Sequence, residues 1–178
     1  MALTITEALA EIKTIGKRIE AKRNFVNGIL WRPEALKDPL EKDGGSYQAI
    51  RRERQSIVDL ETRAVMLRRA IQGANEATLV SINGSSRSIA DWLVWRRDIS
   101  PGTKAHLAAM RQALANMRTQ ARQQGVNIAA TADAAQRNDV IVNVNEQELA
   151  NEIEQLEDTL GQLDGQLSLK NATVIIQE

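Results

Sequence analysis

Apolar residues recur alternately three and four positions apart in four stretches of this chain, most clearly at Leu149, Ile153, Leu156, Leu160, Leu163 and Leu167. Such spacing lays one apolar seam along a helix and suits packing against a second helix of the same kind. The first stretch begins at Thr4 with Glu7 three residues on, a capping-box start. It continues through Ile5, Ala8, Ile12, Ile15, Ile19 and Val26, interrupted by Lys22, and predicts a helix over 4–27 ending at Gly28. The pattern then stops. Pro33, Pro39 and Gly44-Gly45 punctuate an irregular arm over 28–45 that contains Leu30, Trp31, Leu36 and Leu40. Residues of that kind are expected to fold over a helix or to reach a neighbouring subunit.

Ser46 is the expected cap of a second helix over 46–74, with its seam at Ile50, Ile57, Leu60, Ala64, Leu67, Ile71 and Ala74. Its other face carries Arg51, Arg52, Arg54, Arg63, Arg68 and Arg69. A β-hairpin is predicted over 78–88, turning at Asn83-Gly84, because that dipeptide readily takes positive φ. Ser88 with Asp91 then caps a helix over 89–124 that breaks at Pro101, where Ser100-Pro101 can also begin the next helical segment. A small-residue connector over 126–139 leads to a strand over 140–144. Asn145 with Glu148 caps the last helix, 145–170, and a β-branched strand closes the chain over 172–177. Similar phrases at Asn75-Glu-Ala-Thr78 and Asn171-Ala-Thr173 suggest that the strands following them share a small sheet.

The fold expected is mainly α: a single elongated domain over 1–178, built as a long antiparallel coiled-coil-like helical bundle with a small β element and a C-terminal strand. Charge segregation adds one pairing. The last helix is rich in Glu and Asp, whereas Lys104, Arg111, Arg118 and Arg122 follow Pro101, so those two helices are expected side by side.

Composition narrows the chemistry. Aromatics are 3% of 178 residues, so Ala, Leu and Ile must supply the packing. Twenty-three basic residues balance twenty-three acidic ones, which gives no electrostatic case for nucleic acid or an anionic membrane. Cysteine is absent, removing disulfides, thiolate metal sites and thiol nucleophiles. No signal peptide and no bilayer-length apolar run is recognisable. The single histidine, His106, has no carboxylate beside it, and the paired carboxylates Glu152/Glu154 and Glu157/Asp158 lie on one helix rather than across a cleft. No calcium loop or phosphate cradle is present. Asn83-Gly84-Ser85 and Asn171-Ala172-Thr173 match glycosylation sequons, which carry little weight without a secretion signal. No catalytic, cofactor-binding or metal-binding residues are therefore assigned. The expected contacts with other copies or partner proteins are Leu30, Trp31, Leu36, Leu40, Trp92, Trp95, Thr173, Val174, Ile175 and Ile176, the last four as a strand adding to a neighbour's sheet.

The phrase Arg69-Ala-Ile-Gln-Gly-Ala-Asn75-Glu-Ala-Thr78, with Asn83-Gly84, Ile89-Ala-Asp91, Arg97-Asp98 and Val142-Asn-Val144, resembles the septicolysin-like family of helical bacterial proteins. The resemblance implies a helical oligomer of the bacterial cytoplasm that binds a partner or a membrane, with no catalytic residues to carry over. The chain also looks like the small helical virion proteins of tailed bacteriophages. The function expected from these readings is a non-enzymatic structural or assembly protein. It would form a homo-oligomer in a phage particle assembled in the bacterial cytoplasm, without cofactor, nucleic acid or membrane.

Overall fold

A computed structural model of the chain describes residues 2–129 and 139–177, and helix dominates it. Contacts divide the chain into two compact units, Met1–Thr78 with Leu167–Glu178, and Leu79–Gln166, where the sequence pattern reads as one domain.

The first unit is built on a helix pair, α1 (Ile5–Gly28) and α2 (Gly45–Ala77). Thr4 caps α1 as expected: the Glu7 amide donates to Thr4 Oγ1 at 3.3 Å, and the Thr4 amide donates to Glu7 Oε2 at 2.8 Å. The backbone amide of Thr4, and after it the hydroxyl, holds the Glu7 carboxyl below its ordinary range. The two seams meet in a core of Ile5, Ala8, Ile15 and Leu67, backed by Ile12, Ile19, Leu60, Ala64 and Ile71. Ion pairs fix the helices antiparallel, since Glu11 meets Arg63 at 2.9 Å and Lys22 meets Glu53 at 2.6 Å. Lys22, the polar break in the seam, is thus half-buried with a carboxylate partner. Arg63 leaves the arginine face for the same reason.

Strand β1 (Leu3–Thr4) pairs antiparallel with β6 (Ile175–Ile176), placing Leu3 opposite Ile176, which is buried in the same core. The closing strand is shorter than the β-branched run suggests, because the last helix continues through Thr173. Thr173 Oγ1 donates to the Leu169 carbonyl at 2.8 Å, one turn back, which lets a β-branched residue end a helix.

In the second unit, β2 (Leu79–Ile82) and β3 (Ser85–Ser88) form the expected hairpin, with Asn83 at φ 47° and Gly84 at φ 78°. β2 and β6 therefore do not share a sheet; each pairs with a different strand. Val80 and Ile82 face inward while Leu79 and Ser81 face out. Ser88 caps α3 (Ile89–Val94), accepting from the Asp91 amide at 3.0 Å. The α-helix is interrupted just before Ser100-Pro101, and that pair opens the next helix. A wide π-helical turn over Trp95–Ile99 leads straight into α4 (Ser100–Gln124), with Pro101 in its first turn. The wide turn absorbs the proline's missing N–H, and Ser100 Oγ donates to the Arg96 carbonyl at 3.0 Å.

Of the connector over 126–139, residues 130–138 lie outside the described residues. On either side of them, β4 (Ile128–Ala129) and β5 (Val140–Ile141) pair in parallel. The strand expected over 140–144 is thus two residues long. Asn145 caps α5 (Glu146–Thr173), accepting from the Gln147 and Glu148 amides at 3.0 and 3.3 Å. α4 and α5 lie antiparallel over Leu107, Leu149 and Leu156, with Met110, Leu114, Ile153 and Leu160 alongside. The expected charge complement is present: Arg118 bonds Glu146, and Lys104 meets Glu157 at 3.6 Å. Arg96 in the π turn extends the row to Asp164 at 2.9 Å. Exposed pairs of this kind contribute only about 0.2–1 kcal/mol each, so they select the neighbour while the leucines hold it.

Candidate interaction surface

The loop between α1 and α2, residues 29–44, shows the most deliberate construction on the first unit. Asp38 organises it. Its carboxylate accepts from the Leu40 amide at 2.9 Å, the Ser46 amide at 2.8 Å and Ser46 Oγ at 2.5 Å. Ser46 is therefore not the cap it resembles; it is a donor, and Asp38, eight residues upstream, supplies the negative charge at the start of α2. The Ser46 hydroxyl, then the Ser46 and Leu40 amides, pull the Asp38 pKa down to about 2. A short 3-10 turn over Glu41–Asp43 follows, and the Gly45 amide donates to the Leu40 carbonyl at 2.8 Å. Arg32 donates to the Leu36 carbonyl and Arg52 to the Asp43 carbonyl, tying down the remaining backbone.

What this scaffold presents is apolar. Trp31 is 81% exposed, Leu36 59% and Leu30 58%, while Leu40 turns partly inward. Tyr47, in the first turn of α2, is 70% exposed, and the Arg51 guanidinium lies 6.0 Å from its ring centre. Between them a notch of about 400 Å³ is lined by Ile29, Trp31, Pro39, Tyr47 and Ile50. Aromatic and arginine side chains on a rigid frame are the composition of protein-binding hot spots. The reading from sequence missed Tyr47, which stands outside the seam and next to no other aromatic in the chain order.

The other expected contact residues separate. Trp92 is 3% exposed and belongs to the core of the second unit, where its indole N–H donates to the Val80 carbonyl at 3.0 Å. Trp95 packs edge-on against it at 5.5 Å and is half-buried, and the Arg87 guanidinium covers the Trp92 face at 5.0 Å. Thr173 is helical, Val174 is half-buried and Ile176 is buried, so the closing segment offers only Ile175 as an exposed apolar side chain. Ile175 borders a shallow groove of about 600 Å³ with Met66, Ala70, Gly73, Ala77 and Val174. β6 uses one edge on β1 of its own chain, so strand exchange with a neighbour is not needed to satisfy that edge.

His106 is exposed on α4. Among the described residues, no cluster of His, Asp or Glu could hold a metal ion, and no helix is long and apolar enough to cross a membrane. No family model matches the chain, and neither curated proteins nor solved structures provide a significant match.

Proposed function

We propose that this chain is a non-catalytic structural protein that assembles with copies of itself, using the loop between α1 and α2 as its principal contact. The observation that carries the reading is Trp31, 81% exposed on a loop whose far end is held by one carboxylate through two backbone amides and a hydroxyl. An aromatic side chain carries about 150–250 Å² of mostly apolar surface, and leaving it in water forgoes that burial. Fixing the loop in advance lowers the ordering cost that binding would otherwise incur. Rigid display of apolar anchors fits a standing contact between proteins.

The larger setting we favour is a bacteriophage particle built in a bacterial cytoplasm, with this chain as a capsid, neck or tail accessory component. Portal, capsid or tail genes beside its own would support that setting, and a metabolic operon would argue against it. For the contact itself, the test is Trp31→Ser combined with Leu36→Ser. Light scattering should find a mass above that of one chain for the wild type and a lower mass for the double variant, with unchanged helicity by circular dichroism. Equal masses for the two proteins would remove the loop from the account.

A further inference from the structure

We propose that Asn83 is a self-modifying position whose conversion to a carboxylate undocks the β2–β3 turn from α5. Asn83 is followed by Gly84, and both are exposed at the tip of the hairpin in the left-handed region, at φ 47° and 78°. Asn83 is the only non-glycine residue at positive φ among the described residues. Nothing beyond its chain neighbours stands within 4 Å of where a Gly84 side chain would begin, so that side of Gly84 is open. Asn-Gly is the dipeptide in which the backbone nitrogen most readily attacks the preceding side-chain amide, because glycine offers no side chain to block the approach.

The chemistry closes with water as the one co-reactant. The Gly84 nitrogen bonds to Asn83 Cγ, the Cγ–Nδ2 bond breaks, and ammonia leaves with the proton that Gly84 gives up. Water then opens the cyclic imide at either carbonyl, leaving aspartate or isoaspartate. Both products carry a carboxylate, and isoaspartate also adds a backbone methylene to a two-residue turn.

The setting of the side chain gives this reaction a consequence. Asn83 Nδ2 donates to Asp158 Oδ2 at 3.2 Å and to Thr159 Oγ1 at 2.9 Å, and Gln162 Nε2 donates to Asn83 Oδ1 at 3.0 Å. Gln162 also donates to Asp158 at 2.7 Å, so the four side chains form one network that fastens the hairpin to α5. The departing nitrogen is the atom that Asp158 and Thr159 hold. The reaction therefore proceeds from the released turn, at a rate set by how often the turn opens. After conversion the donor is gone and a negative charge faces the Asp158 carboxylate, so the network cannot close again.

The chain supplies its own clock, because Asn27-Gly28 repeats the dipeptide in the last turn of α1. Full-length protein held in mildly alkaline buffer is followed by peptide mass spectrometry at both sites. Gln162→Ala should convert Asn83 about fivefold faster, the factor expected for one lost hydrogen bond, with the Asn27 rate unchanged. Asn83→Asp, made directly on a Trp31→Phe background that leaves the Trp92–Trp95 pair, should shift the remaining tryptophan emission to the red, since Trp92 is bonded to β2, and adding Asp158→Asn should reverse that shift. Equal Asn83 rates in Gln162→Ala and wild type, or unchanged emission in Asn83→Asp, would overturn the proposal. Neither result bears on self-assembly through the loop.

Discussion

A single carboxylate at Asp38 does the work that a run of loop residues would otherwise do with solvent. Its folded pKa of about 2 lies below the ordinary 3.8, so it favours the folded state fully above the ordinary value. That contribution is lost as pH falls from about 4 towards 2. The acid side of the thermal stability curve should therefore flatten in Asp38→Asn, and melting temperature against pH over that window checks it. An unchanged acid limb would show that the loop does not depend on the ionised group. Caps within one helical turn were legible in the sequence, as Thr4 with Glu7, Ser88 with Asp91 and Asn145 with Glu148 demonstrate. Asp38 was not, because it reaches Ser46 across an irregular loop whose path no local spacing encodes. Tyr47 escaped for a related reason: its exposure follows from the loop leaving it uncovered, not from its place in a pattern.

At the scale of elements, the three-four periodicity identified the helices because burial on one side is what makes them pack. Leu67 and Leu163 are fully buried, one in each unit. Leu67→Ala and Leu163→Ala should each cost about 3 kcal/mol, read from the urea midpoint, within the range for buried leucine truncation. A loss below about 1 kcal/mol would mean that the seam around the site collapses into the space. Element ends were harder to read. β-branched runs at Val140–Val144 and Thr173–Ile176 signal extended backbone, yet strands formed only where a partner strand was available, at Val140–Ile141 and Ile175–Ile176. Helix α5 continued into the second run because Thr173 found a carbonyl one turn back. Pro101 signals a break, and the chain makes it as a wide turn at Trp95–Ile99 that ends where α4 begins. At the two strand-like runs, single-residue preferences lost to hydrogen bonds that nearby backbone could supply.

For the whole molecule, the seams indicate that helices pair but not which ones. α1 pairs with α2 and α4 with α5, each within its own core, and this divides the chain into two units where periodicity alone suggested one. The seams thus find partner helices within the chain, and the case for assembly rests on the loop that carries Trp31 and Leu36. Sedimentation velocity across a hundredfold or so of protein concentration tests that claim most directly. Self-assembly predicts species heavier than 19.7 kDa that gain population with concentration and shrink when Trp31 and Leu36 become serine. One species at 19.7 kDa throughout, identical in the variant, would contradict it.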